Sequence, residues 1–267
     1  MHKDVKEVLI VIAVTAVIVG IIMTSLMIYS GMSRPLTVVE SKSMQHSDDT
    51  SYLGIIDTGD MVVMISPDKS TVVPYVEGYQ TGHSSFGSYG DVIIYYRDNG
   101  KNPVIHRAII WLDVKDGVIS APALQYYPAD RWESEGTWND LTGILTLKGL
   151  PYKDGTKDVS IDLSKVTRSG YLTKGDNNTE FDQTFGIHPG TVMDSELKAV
   201  AGLEVPWLGC IKLLVNNKNV SMIPQNSLNC LWVMLLDIVA FVSVVIIVVE
   251  YLKIQGKKEE EGQEEQV

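Results

Sequence analysis

Cysteine is nearly absent from this 267-residue chain: only Cys210 and Cys230 occur. Two cysteines allow one disulfide at most, and neither has partners at zinc-ligand spacing. A disulfide framework and a cysteine-based zinc module are therefore excluded, and the two read as unpaired, partly buried thiols. Basic residues are also short, 22 against 33 acidic ones, for a net charge of -11. That excess of acid argues against a nucleic-acid partner. No internal repeat is present. Between residues 30 and 229 no apolar pattern of period 3.6 runs long enough to anchor an α/β architecture.

Charge is missing altogether from Val8 to Tyr29. An uncharged apolar run of that length crosses a hydrocarbon core of about 30 Å as a helix. It is longer than the apolar core of a cleaved secretory signal. Tyr29-Ser30-Gly31-Met32-Ser33-Arg34 also makes a poor cleavage site, so the segment reads as a retained anchor. A second run, Leu231 to Val249, is interrupted only by Asp237. A carboxylate there costs about 2.5–3.5 kcal/mol on insertion scales, and the remaining apolar residues outweigh it. Either Asp237 sits near the outer interface, or it makes a polar contact with the first helix or a partner subunit. Lys3 and Lys6 precede the first run, and Lys253, Lys257 and Lys258 follow the second. Basic flanks mark the cytoplasmic side, although Arg34 opposes this weakly.

The expected organisation is a cytoplasmic N-terminus (1–7), a membrane helix (8–29), an external domain (30–229), a second membrane helix (230–250) and an acidic cytoplasmic tail (251–267). The tail is a charge run and reads as a solvated, disordered end. The external part reads as mostly strand. Thr37–Glu40, Met61–Ile65, Asp91–Tyr96, Val104–Val114, Val118–Ile119 and Gly170–Thr173 are short β-prone runs bounded by turn residues. Asp98-Asn99-Gly100 closes one of them, and Asp116-Gly117 signals a hairpin. The fold class expected is mainly β, a barrel-like domain flanked by two membrane helices. Residues 67–89 and 122–165 look like insertions.

Ser43 stands in Glu40-Ser41-Lys42-Ser43-Met44, just past the first membrane run. A serine hydroxyl is unreactive at neutral pH and needs a base to become a nucleophile. Histidine suits that task, with a reference pKa near ~6.5. His2 lies on the wrong side of the membrane; His46, His83 and His188 lie in loops. His106 sits mid-strand on the face shared by Val104, Ala108 and Ile110. A histidine on an apolar face needs partners for its ring nitrogens. By itself it is better explained by a core role with one hydrogen bond. Lys174-Gly175-Asp176-Asn177-Asn178 with Asp182 following supplies carboxylates that could orient it, or is simply a polar turn.

These pieces fall in the order of a known family. Val38-Val39-Glu40-Ser41-Lys42-Ser43-Met44 is similar to a V-V-x-S-G-S-M nucleophile box, and Gly90-Asp91-Val92-Ile93 to a G-D-x-x strand. Val104-Ile105-His106-Arg107 matches V-x-H-R. Tyr171 to Asn178, with Asp182, matches F-x-T-K-G-D-x-N…D. Val205-Pro206-Trp207-Leu208-Gly209 resembles a late V-P-Y-x-G block. Together they resemble the archaeal and endoplasmic-reticulum branch of the type I signal peptidases, over about half of the external region. The resemblance implies a serine endopeptidase that removes signal peptides. Ser43 would be the nucleophile, His106 the general base and Asp182 its carboxylate. Asp176 is the other candidate for that place, or a supporting acid. Ser41 would contribute to the oxyanion hole and Met44 would pack at the substrate site or the membrane surface. No metal or organic cofactor is implied. Partners would be preprotein signal peptides, the bilayer and secretion-complex subunits, at a cell membrane with the catalytic domain outside.

Two departures stand out. Lys42 replaces the usual glycine, which would cost about 1 kcal/mol if the backbone there were left-handed. The proline expected after Met44 is replaced by Gln45. The rival reading is a catalytically inactive anchored β-domain that scaffolds a secretion complex.

Overall fold

The structure is a computed structural model describing residues 3–97 and 103–264. The uncharged N-terminal run forms helix α1 (Lys3–Ser30), and the second run lies within α5 (Gln225–Glu264). Both have windows apolar and long enough to span a membrane, Val11–Ser30 and Gln225–Tyr251, and neither window is buried within the protein. Apolar helices with no protein cover are what a bilayer solvates. The acidic tail was expected to be disordered, but α5 continues through it to Glu264. The Asp98-Asn99-Gly100 turn lies outside the described residues.

Between these helices the chain is β-rich. Its strands are β1 (Leu36–Val38), β2 (Met61–Ile65), β3 (Ser84–Ser85), β4 (Ser88–Tyr89), β5 (Val92–Tyr95) and β6 (Val104–Lys115). They continue as β7 (Val118–Ser120), β8 (Trp132–Glu133), β9 (Ile144–Tyr152), β10 (Gly155–Asp162), β11 (Gly170–Lys174) and β12 (Leu197–Val205). Short helices α2 (Tyr75–Thr81), α3 (Asp182–Phe185) and α4 (Cys210–Val215) fill the connections.

The main sheet runs β1-β2-β12-β5-β6-β11, with β7 added to the far end of β6. Every pairing in it is antiparallel. The sheet does not close into a barrel: β1 and β11 are its edges. The reason lies in what covers it. Residues 122–165 are not a plain loop excursion but carry a second sheet, β10-β9-β8. Leu145, Leu147, Leu150, Val159 and Ile161 from it are buried in one cluster with Ile109, Ile110 and Leu172 of the main sheet. A sheet covered on that face has no need to curl onto itself. β6 is the spine, β-branched along much of its length and buried on both faces from Ala108 to Ile110. Residues 67–89 likewise hold structure, α2 and the β3–β4 hairpin. Gly90, at φ +75°, follows that hairpin; a Cβ there would lie 2.4 Å from the Tyr75 nitrogen, so only glycine permits the approach.

Cys210 and Cys230 are both free thiols. Cys210 is fully buried, and burial pushes its pKa up to about 12.

Candidate active site

Alternation along β6 sends successive side chains to opposite faces. His106 and Arg107 are neighbours on it, and each takes a different carboxylate. His106 Nδ1 lies 2.6 Å from Asp182 Oδ2. Asp182 is the first residue of α3 and is fully buried. Its Oδ2 also accepts a hydrogen bond from Tyr95 Oη at 2.7 Å, and Thr173 Oγ1 donates to that phenol oxygen at 3.3 Å. Burial, with the Asp182 charge beside it, holds the Tyr95 phenol well above its usual pKa, so it stays a donor. A carboxylate accepts only, so Nδ1 of His106 carries a proton and Nε2 is the nitrogen left for other work.

Arg107 goes the other way. Its Nε donates to Asp176 Oδ1 at 3.0 Å and its Nη2 to Asp176 Oδ2 at 2.6 Å. Both side chains are completely buried. Nη1 donates to the carbonyls of Ser85 at 2.9 Å and Gly90 at 2.8 Å. Asp176 is therefore a structural acid tied to Arg107, and Asp182 is the carboxylate on His106.

Ser43 sits in a 3-10 turn, Lys42–Met44, just after β1. The loop from Gly175 to Asn178 clamps that turn. Asn177 N–H donates to Ser43 O at 2.8 Å and Asn177 Nδ2 to Lys42 O at 2.9 Å. Gly175 lies between the two halves of the site. A Cβ on it would fall 2.4 Å from Ser43 O and 3.0 Å from His106 Nε2. The Ser43 hydroxyl is hydrogen-bonded to the Ser41 hydroxyl at 3.1 Å. Ser41, Ser43 and His106 line one cleft of about 630 Å³, with Val38, Val104 and Asn178 among its walls.

The turn tolerates its departures. Lys42 is not among the residues with left-handed backbone, so the strain expected of it does not arise. Its Nζ instead reaches Asp48 Oδ1 at 2.7 Å. Gln45 holds φ -72°, the value a proline would fix, and its N–H donates to Lys42 O at 3.0 Å. Met44 does not reach the cleft. It is 1% exposed and packs with Val39, Ile56, Val62 and Val92, so the substrate contact expected of it is corrected to a core role.

The other histidines stand apart from Ser43's cleft. His83 pairs with Asp91 at 2.7 Å, and His188 is buried with Nδ1 on Gly190 O at 2.7 Å. His46 is buried, which lowers its pKa, and Nε2 lies 4.0 Å from Asp176.

Sequence reasoning passed over Tyr95 and Lys174 as site residues. Lys174 is completely buried, with Nζ donating to Pro151 O at 2.6 Å and Gly175 O at 2.8 Å. Desolvation pushes its pKa down to about 8, against the pull of Asp176 and Asp182. It ties β9 to the loop that clamps Ser43. A lysine at the end of β11, directly ahead of a Gly-Asp-Asn turn, was the available signal.

Neither a protein-family model nor a curated protein matches this chain. Its function is therefore argued from the motifs and from the geometry of this site.

Proposed function

We propose that the protein is a membrane-anchored serine endopeptidase of the signal peptidase I type, which removes N-terminal signal peptides from preproteins. The observation that carries this reading is the buried Asp182–His106 pair at the wall of the cleft that also holds Ser43.

Ser43 Oγ attacks the scissile carbonyl while His106 Nε2 takes its proton. Asp182 keeps Nδ1–H in place and stabilises the imidazolium that forms. The oxyanion is held by the Ser43 N–H and the Ser41 hydroxyl. His106 then gives its proton to the leaving amine, and the acyl-enzyme remains. Water activated by His106 releases the acyl group. The reaction requires the Ser43 hydroxyl to exchange its Ser41 contact for Nε2, and such bonds commonly tighten only when substrate is bound.

An extended substrate adds along β1, an edge strand next to the nucleophile turn. Valine walls close around small side chains at the first and third positions before the cleaved bond. The two membrane helices leave this domain outside and both termini in the cytoplasm, next to the bilayer that holds the signal helix. Signal peptides, lipid and secretion-complex subunits are its partners.

The second reading is an inactive scaffold, favoured by the Ser43 hydroxyl bonding Ser41 rather than His106. Cleavage separates the two. The full chain in lipid vesicles should cut a preprotein with alanines at those two positions. It should not cut one with a bulky residue immediately before the bond. No cleavage of either overturns the protease reading and leaves the scaffold.

A further inference from the structure

The cleft holding Ser43 differs in charge from the chain around it. The protein is acidic overall. Among the described residues the cleft lining nevertheless carries Arg97, Lys198, Lys212 and Lys218 against one acid, Glu40. Glu40 is shared by two of them, with Oε1 3.0 Å from Lys212 Nζ and Oε2 on Lys218. Arg97 and Lys198 have no carboxylate within ion-pair distance among the described residues. Lys198 Nζ instead lies 5.8 Å from the centre of the Tyr96 ring. Lys198 lies at the start of β12 and Arg97 two residues past the end of β5, and Tyr96 N–H donates to Glu196 O at 3.2 Å between them. Two cations without a carboxylate partner among the described residues, beside an apolar wall of Val104 and Ile105, make a seat for an anion.

We propose that this cleft selects substrates with an acidic side chain in the first few residues after the cleaved bond, held by Arg97 and Lys198. The inference rests on the protease reading for its direction. Residues before the bond belong to an apolar helix and its small-residue end, so a charge can enter only from the segment that follows. Lys212 and Lys218 are already engaged by Glu40, which leaves the Arg97–Lys198 pair to meet it.

The test uses two preproteins that differ only by Glu or Gln at the second and third residues after the bond. The full chain is held in phosphatidylcholine vesicles. The Glu form should be cut with a kcat/KM about 3- to 10-fold higher, the range expected of partly exposed charge pairs. The ratio should fall to one in Arg97→Gln/Lys198→Gln and invert towards a Lys-bearing substrate in Arg97→Glu/Lys198→Glu. A ratio of one in the unmodified protein overturns the proposal. The proposal is equally overturned if that ratio is one while added phosphatidylglycerol drives vesicle binding through the same pair, which would make it a seat for lipid headgroups. Binding of fluorescent peptides spanning the bond to Ser43→Ala separates the two claims. Tighter binding of the Glu peptide without any cleavage by the unmodified protein retains the acid-selective cleft and removes the protease. Equal binding of both peptides removes the selectivity alone.

Discussion

Asp182 meets His106 at 2.6 Å with its side chain fully buried. Its second oxygen, Oδ1, is buried without a hydrogen-bond partner. Among the described residues its side-chain hydrogen bonds run to His106 and Tyr95, and it fixes which imidazole nitrogen faces the cleft. Asp182→Asn would present an amide that can turn its NH₂ to Nδ1 and favour the wrong tautomer. The expected result is a fall in kcat of about 10³–10⁴-fold with little change in folding. Steady-state cleavage together with a melting curve checks it.

The Arg107–Asp176 pair is expected to govern stability. Breaking a buried pair strands a charge and costs about 3–5 kcal/mol. Arg107→Met should lower the melting temperature of the detergent-solubilised protein by roughly 10 °C. Replacing both partners with apolar residues should recover much of that loss, since neither charge is then left alone.

Gly175 is expected to be intolerant of any side chain. Gly175→Ala would drive a methyl group against Ser43 O and His106 Nε2. Displacing either by about 1 Å should lower kcat/KM by about 100-fold. A variant with unaltered activity would show that the two groups are not held in register through this glycine.

Lys174 predicts a rise in stability with pH. Its folded pKa of about 8 lies below the ordinary value of 10.5. Below pH 8 both states hold the proton and the burial cost is paid in full. Between about 8 and 10.5 the unfolded chain still binds a proton that the folded one has released, so stability climbs with pH. The buried Cys210 thiol opposes this from about pH 9 and the tyrosines near pH 10, so the window to watch is pH 8 to 9. Denaturant unfolding across it should show a positive slope that Lys174→Met removes.

Asp57, Asp60 and Glu204 predict the opposite trend at lower pH. Burial raises them to about 7, 6 and 7, with the Asp60 charge adding to the rise at Asp57. Groups raised in the folded state stabilise it most below their unfolded pKa, near 4, and lose that contribution as pH rises through 6 to 7. Asp57→Asn should flatten the decline, by about 1–3 kcal/mol at pH 8, as read from unfolding curves at pH 5 and pH 8.

Some of this was legible before any coordinates. The two helices long and apolar enough to span a membrane announced themselves through long apolar runs, and β2, β5 and β6 through dense Val and Ile. The β9–β10 hairpin escaped notice because Lys157-Asp158-Val159-Ser160-Ile161-Asp162 looks like a polar loop. Only Val159 and Ile161 turn inward, while Ser160 between them and the flanking Lys157, Asp158 and Asp162 are on the solvent side. α2 was hidden by Gly78 and by tyrosines that carry no clear period. For the site, the motifs delivered Ser43, His106 and two aspartates but could not choose between them. That choice follows from the pleat of β6, which sends His106 to Asp182 and Arg107 to Asp176. Met44 entered as a site residue through the resemblance of its motif, yet the tight turn points it into the core.

The most direct test of the account compares the full chain in lipid with Ser43→Ala and His106→Ala, each cutting the same alanine-x-alanine preprotein. The account predicts one cut after the second alanine by the unmodified protein and none above background by either variant, with all three melting at similar temperatures. Undiminished cleavage by a folded Ser43→Ala or His106→Ala protein would contradict it.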